Sequence, residues 1–270
     1  MNPVLFSIGN IEIRWYSVLI LVAIFIAISM LIREGKRFNI PKDFLFNMAF
    51  WVIIFGIIGA RIYYCIFNFS LYKDNVFDIF KIWEGGLAIH GGLIAGFITL
   101  LVYTKKYNVN TIKITDMASI PLLLAQAIGR WGNFFNSEAH GAATTYYHLS
   151  EVLHIPEKII EGMKIGNVYY HPTFYYESLY CLVGVIILLF VRRYRYLKRG
   201  QLTTLYMMYY SLGRFFIESL RTDSLMFGPF KVAQIVSVIL FLVGLGAFMI
   251  ISRKTKFEDL YNEENGPIRF

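Results

Sequence analysis

Charge is scarce in this chain. Only 16% of its 270 residues are Asp, Glu, Lys or Arg, where soluble domains run near a quarter. Cysteine is scarcer: Cys65 and Cys181 are the only two. They lack metal-ligand spacing, and apolar packing is their reading. Alternating segments of ~10 residues are missing, which excludes a transmembrane β-barrel. There is no internal repeat and no low-complexity tract, so residues 1–270 read as one domain. Met1–Asn10 holds no basic n-region, so the first apolar run is expected to stay as a helix and not be cleaved.

What is abundant is apolar surface. Hydrophobic residues make up 57% of the chain, and the mean hydropathy is +0.53. Apolar runs of about 20 residues recur, the length that crosses a bilayer core. The expected fold class is an all-α integral membrane protein. Seven spans are placed at Tyr16–Ile32, Phe46–Phe67, Ile89–Tyr103, Ile114–Ile128, Thr173–Val191, Leu202–Glu218 and Val232–Ile251.

The formal net charge is +8, and its placement decides its meaning. Arg33, Lys36, Arg37 and Lys42 fall in one connection, Lys105, Lys106 and Lys113 in another. Arg192, Arg193, Arg195, Lys198 and Arg199 fill a third, and Arg253, Lys254, Lys256 and Arg269 lie in the tail. These 16 of the 26 basic residues all fall on one side of the seven-span layout. By the positive-inside rule that side is the cytoplasm, which puts the N-terminus outside and the C-terminus inside. The surplus is a topology signal and an attraction to anionic headgroups; no nucleic-acid partner is expected. The tail FEDLYNEENGPIRF, residues 257–270 of the 253–270 cytoplasmic segment, is polar and expected to fray. The longest connection, 129–172, lies on the outer side and has room for a small head.

A few residues do not belong in lipid. Arg61 lies inside the second span, and His90 opens the third. Arg130, Asn133, Asn136, Glu138 and His140 follow the fourth. Glu177 lies near the start of the fifth, Arg214 and Glu218 in the sixth, and Arg221 just beyond. A charge at the bilayer centre costs at least ~2.5–3.5 kcal/mol, so such side chains face a bundle interior or a wet cavity. Each taken alone is as readily a structural ion pair between helices. The set is harder to explain that way: four arginines outnumber Glu138, Glu177 and Glu218. A surplus cation in the outer half of a membrane fits a lipid phosphate. Tyr210, Arg214, Glu218 and Arg221 share one helical face. Glycines beside these residues, Gly91, Gly92, Gly129, Gly132 and Gly141, admit two readings: close approach of backbone to a ligand, or close helix packing.

The stretch GRWGNFFNSEAHG, residues 129–141, resembles the signature of the prolipoprotein diacylglyceryl transferases. Gly129, Arg130, Gly132, Asn133, Phe134, Asn136, Glu138 and Gly141 all fit. RWY at Arg14–Tyr16, HGG at His90–Gly92, HPTFYYE at His171–Glu177 and GRFFIESLR at Gly213–Arg221 resemble further blocks of that family, in the same order. Thr173 stands where serine is usual and keeps a hydroxyl. The resemblance covers nearly the whole chain. It implies a multi-pass enzyme of the bacterial cytoplasmic (inner) membrane, with its site towards the outer leaflet. The implied reaction moves the diacylglyceryl group of phosphatidylglycerol to the lipobox cysteine thiol of a preprolipoprotein. A thioether forms and glycerol phosphate leaves.

The residues supply candidates for that chemistry. Arg130 and Arg214 would grip the phosphate, because a guanidinium fork matches phosphate oxygens and stays charged. His90 is the base by type, with a lipid-binding or packing role as its alternative. Glu138 and Glu218 would orient arginines or act as bases. Asn133 would donate to the phosphate or a glycerol hydroxyl, while Asn136 would bind there or cap the turn. Tyr16 and Tyr210 would reach the headgroup. Arg61, Arg221 and Gly141 complete the binding set, and Glu177 would hold Arg61 or an active-site arginine. The nucleophile belongs to the substrate, so Cys65 and Cys181 need no role. No metal and no organic cofactor are expected. The rival reading is a non-catalytic lipid or anion transporter, which predicts an internal repeat or paired broken helices; the sequence shows neither.

Overall fold

Each of the seven apolar stretches is helical in the computed structural model, which describes residues 3–9, 11–73, 75–254 and 256–262. They are α1 (Trp15–Lys36), α2 (Lys42–Phe67), α3 (Ile89–Lys106), α4 (Thr111–Asn136), α6 (Thr173–Arg192), α7 (Gln201–Leu220) and α8 (Val232–Ser252), with a one-and-a-half-turn α5 (Glu157–Gly162) between α4 and α6. Five of them, α1, α2, α4, α6 and α8, are long and apolar enough to cross a membrane. The polar residues that single out α3 and α7 lower their hydropathy. The chain is a mostly helical, multi-pass membrane protein.

The chain divides into two compact units, one of Met1–Met30 and Thr115–Glu263, the other built on Leu31–Ile114. In the smaller unit α2 follows Pro41, whose missing N–H costs nothing at a helix start. It packs on α3 through small residues. A Cβ at Gly91 would lie 3.0 Å from the Gly59 carbonyl carbon, and one at Gly92 would lie 3.3 Å from the Gly56 oxygen. Helix packing, not ligand approach, is what these glycines serve. The connection 68–88 is a series of short 3-10 turns, Phe69–Tyr72, Val76–Phe80 and Ile82–Glu84.

In the larger unit, Asp116 of α4 is fully buried. Its carboxylate accepts from Gly200 N (2.5 Å), Thr203 N (2.8 Å) and Thr203 Oγ1 (2.6 Å). A side chain of α4 thus caps the N-terminus of α7, where free N–H groups and the helix dipole favour a carboxylate. Further along, α6 and α7 are keyed together. The Tyr180 ring lies over Gly213 and the Tyr209 ring over Gly184. The rings stack at 4.3 Å, and each hydroxyl donates to the other's carbonyl, at 2.8 and 2.7 Å. This fixes the register of α7 one residue before Arg214.

The sequence ended the fourth span at Ile128. The helix instead runs to Asn136, so GRWGNFFN forms its last turns and the connection begins at Ser137. Trp131, Phe134 and Phe135 explain the extension: they bury one helical face against the head and α1. The head is a three-stranded antiparallel sheet in the order β3 (Ala143–Thr144), β5 (Val168–Tyr170), β4 (Lys164–Ile165), together with α5. Leu149, Ile155, Ile159, Ile160 and Met163 pack there on Phe134 and Phe174, whose rings stack at 4.9 Å. An antiparallel pair, β1 (Val4–Ile8) and β2 (Ile11–Arg14), leads into α1. A second short hairpin, β6 (Met226–Phe227) and β7 (Phe230–Lys231), joins α7 to α8.

The tail does not fray where the sequence suggested. Tyr261 is fully buried, and its N–H donates to Leu197 O at 2.7 Å. Asp259 O accepts from Arg199 N at 2.7 Å. Backbone pairing with the α6–α7 connection outweighs the segment's polarity. Residues 263–270, including Arg269, lie outside the described residues.

Candidate active site

Three helices of the larger unit bring charge together. Arg130 projects from the end of α4, Glu177 from the start of α6, and Arg214 and Glu218 from one face of α7. Arg130 Nη2 lies 2.7 Å from Glu177 Oε1. The other Glu177 oxygen is 3.3 Å from Arg214 Nη1. Arg214 Nη2 is 2.6 Å from Glu218 Oε2, which is 3.8 Å from Arg221. Arg221 then makes a two-pronged bond to Asp223, both contacts at 3.0 Å. Cations and carboxylates alternate along a single chain of six residues.

Exposure separates the two glutamates from the arginines. The Glu177 and Glu218 side chains are 3% exposed, whereas Arg130 is 22% and Arg214 and Arg221 are 16% exposed. The two glutamates are sunk behind the guanidiniums, so a ligand arriving over them meets cation first, while Asp223 at the end of the chain is 44% exposed. Lys231 adds to the positive side. Its ammonium donates to the carbonyls of Glu218 (2.7 Å), Ser219 (3.2 Å) and Arg221 (2.6 Å), satisfying the C-terminus of α7. Arg130, Arg214, Arg221 and Lys231 against Glu177, Glu218 and Asp223 leave one positive charge in surplus.

Around this chain the other candidates take defined places. The Tyr16 ring covers Gly132, and Trp15 stacks on Phe135 at 4.8 Å, so the start of α1 braces the last turns of α4. Tyr210 Oη donates to Glu177 Oε1 at 3.5 Å. Glu138 Oε1 accepts from the amides of Asn133 (3.0 Å) and Asn136 (3.2 Å), so this carboxylate orients asparagines where the sequence suggested arginines. Ser137 and Ala139 take positive φ, 52° and 57°, and turn the chain sharply after α4. The Thr173 hydroxyl donates to Ala139 O, which gives the hydroxyl of HPTFYYE a job. Gly141 N donates to His171 O at 2.9 Å, and Gly141 pairs with Arg221. A Cβ there would sit 2.8 Å from His171 Cβ and 3.1 Å from Leu220 O. Gly141 is therefore enclosed by protein, and it ties the turn to the end of α7.

Two candidates lie in the smaller unit. His90 is the second residue of α3, exposed, with its ring 6.3 Å from Tyr63. Arg61 is buried, and its guanidinium serves backbone. Nε donates to Ile79 O (2.7 Å), Nη1 to Gly85 O (2.7 Å) and Gly86 O (3.1 Å), and Nη2 to Asp78 O (2.7 Å) and Lys81 O (3.3 Å). All five guanidinium donors are taken by the 78–86 connection, so Arg61 holds that connection together and has none left for a phosphate. Glu177 pairs with the arginines of the chain described above and not with Arg61.

Sequence reasoning missed Asp223 and Lys231. Asp223 was legible as the first acid after Arg221. Lys231 follows the Gly228–Pro229 break, but nothing local marks it as the cap of a helix eleven residues back. In the connections, the Arg221 bonds hold the Asp223 carboxyl below its ordinary value, and burial beside His148 lowers His171. No group of three potential metal ligands occurs among the described residues.

Known proteins resemble this chain along nearly its whole length. A family model described as prolipoprotein diacylglyceryl transferase matches residues 3–250. A phosphatidylglycerol–prolipoprotein diacylglyceryl transferase of Staphylococcus haemolyticus is 46% identical over 269 residues, 99% of this chain and 94% of that protein. Proteins of the same name from Listeria innocua and Staphylococcus aureus are 44% and 45% identical, covering 98% and 95% of this chain and 94% and 91% of their own lengths.

Proposed function

This chain belongs to the prolipoprotein diacylglyceryl transferase family, and we propose that it transfers the diacylglyceryl group of phosphatidylglycerol to the lipobox cysteine of a preprolipoprotein. The observation that carries the reading is the arrangement of partly exposed Arg130, Arg214 and Arg221 in front of buried Glu177 and Glu218. The reaction displaces phosphate from carbon. The substrate thiolate attacks the glyceryl carbon, a carbon–sulfur bond forms, and the carbon–oxygen bond breaks. The electron pair leaves on the phosphate oxygen as glycerol phosphate.

Charge grows on that oxygen in the transition state, so fixed cations there lower the barrier. Arg130 and Arg214 are our candidates for the grip. Glu177 lies between them and sets the separation of the two forks. Arg221, Asn133, Asn136, Tyr16 and Tyr210 line the headgroup region, and Gly141 shapes its rim. A free thiol titrates near ~8.5, so a base or a strong positive field raises the thiolate fraction. The positive surplus supports the field, and His90 is the candidate base.

In this reading residues 1–270 are one membrane-embedded domain. α3 and α7 cross the bilayer with the other five, the N-terminus and the head face outward, and the basic connections face the cytoplasm of a bacterial inner membrane. The test is to incubate purified protein with phosphatidylglycerol and a lipobox peptide and weigh the peptide. A diacylglyceryl adduct on cysteine, absent with Arg130→Ala, supports the transferase. No adduct from folded, lipid-loaded protein favours a lipid-binding or transport role.

A further inference from the structure

The α2–α3 pair is close-packed through its glycines. At Gly59 and Gly91 the two backbones touch: a Cβ on Gly59 would lie 2.8 Å from Gly91 O. Towards the end that carries Lys106 large side chains line the outer face of the pair. A groove of about 640 Å³ opens there, walled by Trp51 and Phe55 on α2 and by Ile98, Val102 and Tyr103 on α3. The Trp51 and Phe55 rings stack at 5.7 Å. Tyr103 is backed by Phe44 and Tyr107, at 5.3 and 4.8 Å. The wall is outward-facing: Trp51, Phe55, Ile98 and Val102 are 43–62% exposed.

Its mouth is cationic. Lys106 is the one charged residue in the lining, and its ammonium sits 5.4 Å from the Tyr107 ring. Lys105 adjoins it, and Lys42 opens α2 at the same end, against a single acid, Asp43. The volume falls in the range of about 300–1,000 Å³ typical of small-molecule sites. The lining runs along both helices, apolar but for Asn47 and Thr99, and positive at one end. On a bilayer-facing surface, that combination matches one acyl chain with a phosphate above it.

We propose that this groove is a binding site for an anionic glycerophospholipid, with one acyl chain between Trp51 and Val102 and the phosphate on Lys106. The site is built from α2, α3 and Tyr107, which ends α3, and shares no residue with the arginine–carboxylate chain.

Trp51 supplies the probe. The full-length protein is reconstituted in phosphatidylcholine vesicles doped with brominated-chain phosphatidylserine or, at equal mole fraction, brominated-chain phosphatidylcholine. Phosphatidylserine is anionic without being the proposed donor lipid. The Trp51 signal is the fluorescence lost in Trp51→Phe. Half-quenching by the anionic lipid is expected at a mole fraction roughly fivefold lower than by the zwitterionic one, the ratio a single lysine near an anionic headgroup supplies. Lys106→Ala should bring the ratio to about one while quenching by brominated phosphatidylcholine persists, and Lys106→Arg should keep the preference. Equal quenching by the two lipids in the unaltered protein, or a preference that survives Lys106→Ala, would overturn the proposal.

Discussion

Arg130 and Glu177 form a 2.7 Å ion pair in which the arginine side chain keeps 22% exposure and the carboxylate only 3%. The pair is one-sided: Glu177 is spent on protein, and Arg130 still presents surface. Its partner on the other oxygen, Arg214, is held at 3.3 Å. One carboxylate thus spaces two guanidiniums that sit on different helices.

Arg130→Lys tests whether fork geometry matters beyond charge. An ammonium cannot make the two-pronged phosphate bond. Removing one fixed donor from a developing anion lowers turnover by about 10²–10³. We expect at least a loss of that order in adduct formation, with the protein still folded in detergent. Near-normal turnover would remove Arg130 from the phosphate grip.

Gly213→Ala tests the key between α6 and α7. The new Cβ would lie 2.7 Å from Tyr180 Cζ, with the ring unable to retreat while its hydroxyl is bonded to Tyr209 O. Overpacking of this kind costs about 1–3 kcal/mol. Thermal unfolding should show a lower Tm, and adding Tyr180→Ala should recover part of it. An unchanged Tm for Gly213→Ala would mean that α7 can slide without penalty.

The Asp223–Arg221 bond predicts a pH dependence. The Asp223 carboxyl is depressed in the folded protein. Its contribution to stability is therefore complete above the unfolded value, near ~3.9. It is lost as pH falls through the lower folded value. The Tm gap between the natural protein and Asp223→Asn should be flat from about pH 5 upward and close below about pH 4. A gap that changes between neutral and mildly acidic pH would point to another group.

Arg61→Ala should loosen the 78–86 connection, since five carbonyl contacts end on one guanidinium. Limited proteolysis should cut there faster than in the natural protein, and Arg61→Lys should rescue only in part because an ammonium has three donors. Equal cutting rates in all three would show that the connection holds itself.

The helices were legible because apolar length is a local property of sequence. Their ends were not. α4 continues through Gly129 and Gly132 because Trp131, Phe134 and Phe135 pack on residues far along the chain, and no local pattern reports that. The site was half legible. Arg130, Arg214 and Glu218 stood out as charge in oily segments, and Tyr210–Arg214–Glu218 as one helical face. Pairing was not readable, and so the counted surplus of arginine rested on the wrong members. Arg61 left the set for its own carbonyls and Glu138 for two asparagines, while Asp223 and Lys231 entered from connections. The glycines of HGG were ambiguous until Gly59 appeared opposite Gly91.

The capping of α7 by Asp116 bears on how the protein is made. α7 is not among the helices apolar enough to cross a membrane by length and composition, and it carries Arg214 and Glu218. Made alone, it would carry only its own Arg214–Glu218 pair, without the second carboxylate that Arg214 meets on α6. Its partners are already made: Glu177 waits on α6, and Asp116 waits on α4 through 84 residues of further synthesis. The partners that α7 needs thus all precede it along the chain. A ribosome stalled before α7 would hold Asp116 without its three donors and Glu177 with Arg130 but not Arg214 against it.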